Sequence, residues 1–109
     1  MQKPSLDAMA RQVGSRAAEA SSGRAAETLY GGHEKRLRQT VIAMTAGAEL
    51  AEHESPGDAT ILVINGRLTL TAGDVTWQGR EGDFLVIPDQ RHSVHAVTDT
   101  AFLLTVAKH

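Results

Sequence analysis

The sequence predicts an all-β domain, a small antiparallel barrel or sandwich that carries a short N-terminal α-helix. From Leu37 onward, apolar residues recur with the period of strands in seven short runs. Gly, Asp and Asn separate these runs at near-even spacing, which is typical of turns between antiparallel strands. The length of 109 residues suits one domain built around one core.

The helix is predicted between Ser5 and Ser22. Ser5 is a suitable N-cap, and Gly14 weakens the helix by up to about 1 kcal/mol. We therefore expect its thin apolar stripe to lie against the domain or a partner subunit, and we expect a short strand at residues 25–30. The apolar residues at spacings of three and four are Leu6, Met9, Ala10, Val13 and Ala17. Residues 1–36 are predicted to be the helix with a connecting segment, and residues 37–109 the barrel.

Seven strands are predicted after Lys35, at residues 37–45, 60–64, 67–71, 75–78, 84–87, 93–97 and 101–107. Asn65 and Gly66, between "ILVI" and "RLTL", match a type I′ turn, so these two strands are expected to pair as a hairpin. Both "ILVI" and "FLVI" are wholly apolar, which predicts strands covered on both faces.

Net charge and hydropathy argue against nucleic-acid binding, membrane spanning and secretion. The net charge of −2 has the wrong sign for a general nucleic-acid binder, and no nucleic-acid partner is expected. No apolar run approaches the roughly 18 residues of a membrane span, and the first ten residues lack the apolar core of a secretory signal. A cytoplasmic location is therefore the default expectation. Because so small a domain buries a modest core, we also expect a homodimer.

Two segments resemble the paired motifs of the cupins, which are small double-stranded β-helix (jelly-roll) barrels. The first is "GAELAEHESPGDATILVING", residues 47–66, and the second is "GDFLVIPDQRHSVHA", residues 82–96. The resemblance covers about Arg38 to Val106 and implies a cupin barrel for that part of the chain.

In cupins, the first motif looks like two histidines and a glutamate and the second adds a histidine, which together hold iron, manganese, nickel or zinc. Here His53 and His92 match two of these positions, whereas Ser55 and Ala59 stand in place of the other two. Zinc and non-haem iron sites use three protein ligands, so the metal site is expected to be degenerate unless another donor is recruited. Gln39, Gln90 and His95 are the candidates, although alternation along the strand turns His95 away from His92.

We therefore expect no cofactor and a small organic molecule bound in the lumen near His53 and His92. The polar side chains of Ser55, Gln39 and Gln90 would flank the two histidines. Together they would form a small set of polar groups that point into an otherwise apolar pocket. The alternative is a metal-dependent dioxygenase or isomerase with recruited ligands, or a metal-free epimerase that uses histidine as acid or base. His53 and His92 could instead be partly buried structural residues that are hydrogen-bonded to a backbone group, water or each other. A third class of function is a structural or interaction module that works through its outer surface and helix.

Overall fold

The computed structural model describes residues 3–54 and 57–108 of the chain. Within these ranges the chain forms one helix followed by nine strands. The helix is α1 (Leu6–Glu19), and the strands are β1 (Arg24–Tyr30), β2 (Leu37–Met44), β3 (Glu49–His53), β4 (Gly57–Asn65), β5 (Arg67–Ala72), β6 (Val75–Arg80), β7 (Phe84–Ile87), β8 (His92–Ala96) and β9 (Thr100–Lys108).

The strands form two antiparallel sheets in a jelly-roll arrangement. The first sheet has the order β1-β2-β9-β4-β7 and the second the order β3-β8-β5-β6. From β2 to β5 and from β6 to β9, consecutive strands alternate between the two sheets, which wraps the chain around one interior. No strand pairing joins the sheets in the described ranges, so the barrel is open between its sheet edges. The predicted all-β jelly roll with an N-terminal helix is confirmed.

The main core lies between the two sheets. Phe102, Ile61, Leu68 and Leu70 are almost completely inaccessible to solvent there. Each such side chain contributes about 1.5–3 kcal/mol through the hydrophobic effect, so this interior supplies most of the stability. The "ILVI" prediction is confirmed, since Ile61 and Val63 face this core while Ile64 packs under the helix on the other face.

Helix α1 covers the outer face of the first sheet. Ser5 caps it as predicted, its Oγ accepting a hydrogen bond from the Ala8 amide at 3.2 Å. The buried helix residues Ala10, Val13 and Ala17 pack against Val41, Ala43 and Ala101 of β2 and β9. The expectation that the stripe lies against the domain is thus confirmed. In the described part of the chain, no helix has the length and apolarity needed to cross a membrane.

The strand predicted at residues 25–30 is confirmed as β1. It pairs antiparallel with β2, so it extends the same sheet in which the predicted barrel begins. The division of the chain at residue 36 stays a prediction.

The predicted hairpin at Asn65 and Gly66 is wrong. Strands β4 and β5 belong to different sheets and do not pair. No described non-glycine residue has a positive φ, whereas Gly66 has φ 80°. A Cβ at Gly66 would overlap the carbonyl oxygen of Asp99, so glycine is needed here for close approach as well as for its dihedral angle. One glycine therefore turns the chain from one sheet into the other.

Strand β7 departs from its prediction on one face. Leu85 and Ile87 face the interior, but Phe84 and Val86 on the outer face are 63% and 69% exposed. The described contacts of α1 are with β1, β2, β4 and β9, so the helix leaves the outer face of β7 uncovered. The prediction that this strand is covered on both faces is wrong for the single chain.

Strand β3 is absent from the predicted set. Of its five residues only Leu50 is partly buried, while the others are exposed. The alternation of apolar and polar residues in β3 is therefore too weak to predict a strand. This strand nevertheless positions His53.

Candidate functional site

The structure brings His53 and His92 together. His53 ends β3 and His92 begins β8, and the two residues are directly opposite each other in the antiparallel ladder. Their ring centroids are 4.5 Å apart and the ring planes are tilted by 58°. Two residues that are 39 positions apart in sequence thus form one imidazole pair at one end of the jelly roll.

The two rings differ in burial. His92 is 3% exposed because it shares the inward face of β8 with Val94 and Ala96. His53 is exposed at the rim, where β3 ends. The pair therefore connects the interior of the jelly roll with solvent.

A backbone carbonyl fixes each ring. The Nδ1 atom of His53 lies 2.8 Å from the Ala51 carbonyl oxygen, and Nδ1 of His92 lies 3.1 Å from that of Gln90. A carbonyl oxygen can only accept a hydrogen bond, so Nδ1 is the protonated nitrogen in each ring. In the neutral rings both Nε2 atoms are then acceptors. Hydrogen bonds of the two rings to other described residues involve Nδ1 alone, so both Nε2 acceptors remain available to a ligand.

Gln39 does not line this end of the lumen, so that expectation is wrong. Its β2 neighbours Val41 and Ala43 pack under helix α1, which places Gln39 on the outer face by strand alternation. Its amide donates a hydrogen bond to Thr105 Oγ1 at 3.3 Å. The sequence-based assignment of the inward face of β2 was off by one residue, and a shift of one residue moves a side chain to the opposite face of a sheet.

The other predicted flanking residues have different outcomes. Gln90 is exposed, and it contributes its backbone carbonyl to His92 through the bond described above. Ser55 lies outside the described residues. His95 faces away from His92 as predicted, and its Nδ1 lies 3.3 Å from a carboxylate oxygen of Glu49.

The residues of β2 that do face the lumen are Arg38 and Thr40, which sequence reasoning missed. They alternate with Gln39 and share their face with Ile42 and Met44 of the main core. Arg38 lies opposite Val106, another residue of that core. Both lie an even number of residues before Ile42, but residues 41–44 are all apolar, so the sequence alone did not show which face is inward.

The donor set does not fit the metal centre that the cupin motifs imply. Ala59, at the position of the glutamate, is buried on the inward face and offers only a methyl group. Across residues 3–54 and 57–108, no group of three or more His, Asp or Glu side chains is arranged to hold a metal ion. Two imidazoles fall short of the three protein ligands that zinc or non-haem iron sites use.

Two surface clefts lie away from the histidines. One, of about 480 Å³, is lined by residues of β5, β6 and the adjoining loops, including Arg67, Gln78 and Arg80. The other, of about 440 Å³, runs between α1 and the first sheet. Neither contains His53 or His92, so the imidazole pair is a candidate because of its chemistry and its place in the jelly roll.

Comparison with known proteins agrees with this architecture. Residues 40–107 match the family model described as "Cupin domain". A conserved protein of unknown function from Streptococcus pyogenes is 30% identical, with a TM-score of 0.74 over 83% of this chain and 78% of that chain. An RmlC-like cupin protein from Desulfovibrio desulfuricans is 28% identical, with a TM-score of 0.67 over 77% of this chain and 81% of the other.

A more distant likeness extends over nearly the whole chain. A variant of salicylate 1,2-dioxygenase from Pseudoaminobacter salicylatoxidans has a TM-score of 0.78 over 95% of this chain, but only 34% of that longer chain is covered and the identity is 19%. That likeness is one of fold. No curated protein sequence matches this chain. Since the family model spans more than half of the sequence and the strands form the same fold, the chain belongs to the cupin domain family.

Proposed function

We propose that this cupin binds a small organic molecule at the end of its lumen marked by His53 and His92. The observation that carries the proposal is the pair of rings 4.5 Å apart, each fixed through Nδ1 by a backbone carbonyl. This arrangement orients two Nε2 acceptors before any ligand arrives, which lowers the cost of ordering them on binding.

The surroundings suit a ligand that is part polar and part apolar. The nearby inward positions of the first sheet carry Ala59, Ile87 and Val106, which lie side by side on neighbouring strands and are nearly inaccessible. A few convergent polar groups against an apolar wall is the usual composition of a small-molecule site. Ligand hydroxyl or amine groups would donate to the Nε2 atoms, while a hydrocarbon part would pack on the wall.

The proposed binding does not require a metal ion. A metal-dependent dioxygenase or isomerase would need a third donor beside His53 and His92, and Ala59 cannot supply one. The enzyme alternative therefore stays a prediction.

A screen of small organic molecules by thermal denaturation, followed by calorimetric titration of the hits, tests the proposal. A ligand at 100 times its dissociation constant should stabilise the fold by about 2.7 kcal/mol. We expect this stabilisation to disappear when His53 and His92 are both replaced by alanine.

His95→Ala is the matched control, because His95 lies on the same strand as His92 but faces outward, where it bonds to Glu49. We expect this variant to retain binding. Hits that bind the double variant as tightly as the native protein, or that lose affinity equally in His95→Ala, would overturn the proposed site.

A further inference from the structure

We infer that the ligand of this site is a small hydroxycarboxylic acid whose carboxylate is bound by Arg38. The inference rests on the proposed function, because it assigns a ligand class to the same lumen. On β2, Gln39 faces outward, whereas Arg38 faces the lumen.

The register puts Arg38 at the same end of the jelly roll as the imidazole pair. Strand β2 begins at Leu37 and β3 ends at His53, while the short turn at residues 45–48 joins the opposite ends of these two strands. Across the first sheet, Arg38 lies opposite Val106, which lies opposite Ala59. Arg38 is thus two strands away from the position at which the cupin motif carries its glutamate. A side chain as long as arginine can cover much of that separation.

The guanidinium of Arg38 lacks a counter-ion within the described ranges. It makes neither an ion pair nor a side-chain hydrogen bond to another described residue, although Arg38 is partly buried. The guanidinium is therefore free to pair with an anionic ligand.

The charged groups on the neighbouring elements are already engaged or face elsewhere. Glu52 pairs with Arg91 at 3.0 Å, and Asp58 is exposed on the face of β4 opposite to Ala59. On β9, the Lys108 ammonium donates to the Gly32 carbonyl oxygen at 2.8 Å. No acidic side chain of the described ranges lies among the inward-facing strand residues at this end, and Glu54 and Asp89 in the adjoining loops are exposed, so none of the inward-facing residues repels an anion.

The chemistry of the three side chains then specifies the ligand. A guanidinium binds a carboxylate through two parallel N–H···O bonds. The Nε2 acceptors of His53 and His92 need a donor, which a carboxylate cannot provide but a hydroxyl group can. A molecule that carries both groups, with a hydrocarbon part against Ala59 and Val106, pairs with Arg38 through its carboxylate and donates its hydroxyl hydrogen to one of the two Nε2 acceptors.

The test is calorimetric titration of the native protein with glycolate, lactate and mandelate and with their neutral amides. Amide and acid have nearly the same shape and the same hydroxyl group, but the amide is neutral and has an NH2 donor in place of one acceptor oxygen, so the Arg38 variants below are needed to assign the difference to charge. We expect at least one acid to bind, and to bind about tenfold to hundredfold more tightly than its amide, because hydrogen bonds to charged groups contribute about 1.5–3 kcal/mol.

Variants locate the effect. Arg38→Gln should remove the preference for the acid, and Arg38→Lys should keep part of it because the charge remains while the planar fork is lost. Arg36→Gln is the control: it removes the same charge from an exposed position two residues earlier and should leave the preference unchanged.

Equal affinity for acid and amide, a preference that persists in Arg38→Gln, or no binding by any of the three acids would overturn the inference. The proposed function would survive each of these results if neutral hits from the screen still required His53 and His92. Both proposals are supported if the acid preference of the native protein depends on Arg38 and the acid no longer binds when His53 and His92 are both replaced by alanine.

Discussion

The interior of this jelly roll has two regions of different character. Between the sheets, Phe102, Leu68 and Leu70 fill the space and are at most 1% exposed. At the end where β3 finishes and β8 begins, the inward positions instead carry His53 and His92, and His53 is open to solvent. On the proposed function, the first region supplies stability and the second supplies binding, so substitutions should separate the two properties.

The largest expected effect is on stability, from Phe102→Ala. Truncating this buried ring should lower the free energy of unfolding by about 3–5 kcal/mol, since it removes apolar burial and leaves a cavity. Urea denaturation measures the change. Phe84→Ala is the matched control, because Phe84 is mostly exposed and its loss should change stability by no more than about 0.5 kcal/mol. Similar losses in both variants would mean that the filled region has been misidentified.

A smaller effect is expected at the histidine end. His92→Ala removes the hydrogen bond to the Gln90 carbonyl, which contributes about 1 kcal/mol, and also a buried ring, so it should cost about 2 kcal/mol of stability. The same denaturation experiment, with His95→Ala alongside, measures it. A loss as large as that of Phe102→Ala would make His92 a core residue and weaken the division between the two regions.

The sequence correctly predicted those elements whose structure is determined by residues close to one another in the chain. Ser5 and the spacing of Ala10, Val13 and Ala17 were sufficient for the helix, because capping and periodicity are local. Alternation also predicted correctly that His95 turns away from His92. The motif residues predicted a cupin, and both the strand order and the family match confirm it.

Non-local features were not predictable in the same way. Asn65 and Gly66 carry a hairpin signal, yet the tertiary fold uses Gly66 to cross between the sheets, where the chain passes close to Asp99. Gln39 was predicted to face the lumen although no residue of β2 was known to face inward or outward. The packing of Val41 under α1 shows which residues face outward, and only the three-dimensional structure provides it.

Metal ions should have no specific effect on stability. Because His53 and His92 have no third donor among the described residues, iron, manganese, nickel and zinc should raise the thermal midpoint no more in the native protein than in the double alanine variant. Thermal denaturation with elemental analysis checks this. If the native protein instead contains stoichiometric metal that is lost in His53→Ala, the result would support a metal-dependent enzyme. Its third ligand would then come from outside the described residues.

The homodimer and the cytoplasmic location stay predictions. Phe84 and Val86 leave an apolar patch on the outer face of β7, and burying such a patch in a second copy would offset its exposure. Sedimentation equilibrium should then give twice the chain mass of 11.6 kDa, and Phe84→Ser should lower it. A monomer mass for the native protein would remove the prediction.

The most direct test of the central claim is a long-range proton–nitrogen NMR spectrum of the histidine rings, recorded before and after addition of a bound ligand at a pH where the rings are neutral. We expect Nδ1 to be protonated and Nε2 unprotonated in both His53 and His92, and we expect the ligand to move both Nε2 resonances while those of His95 stay in place. Rings protonated at Nε2, or Nε2 resonances unchanged by a ligand that binds, would contradict the claim.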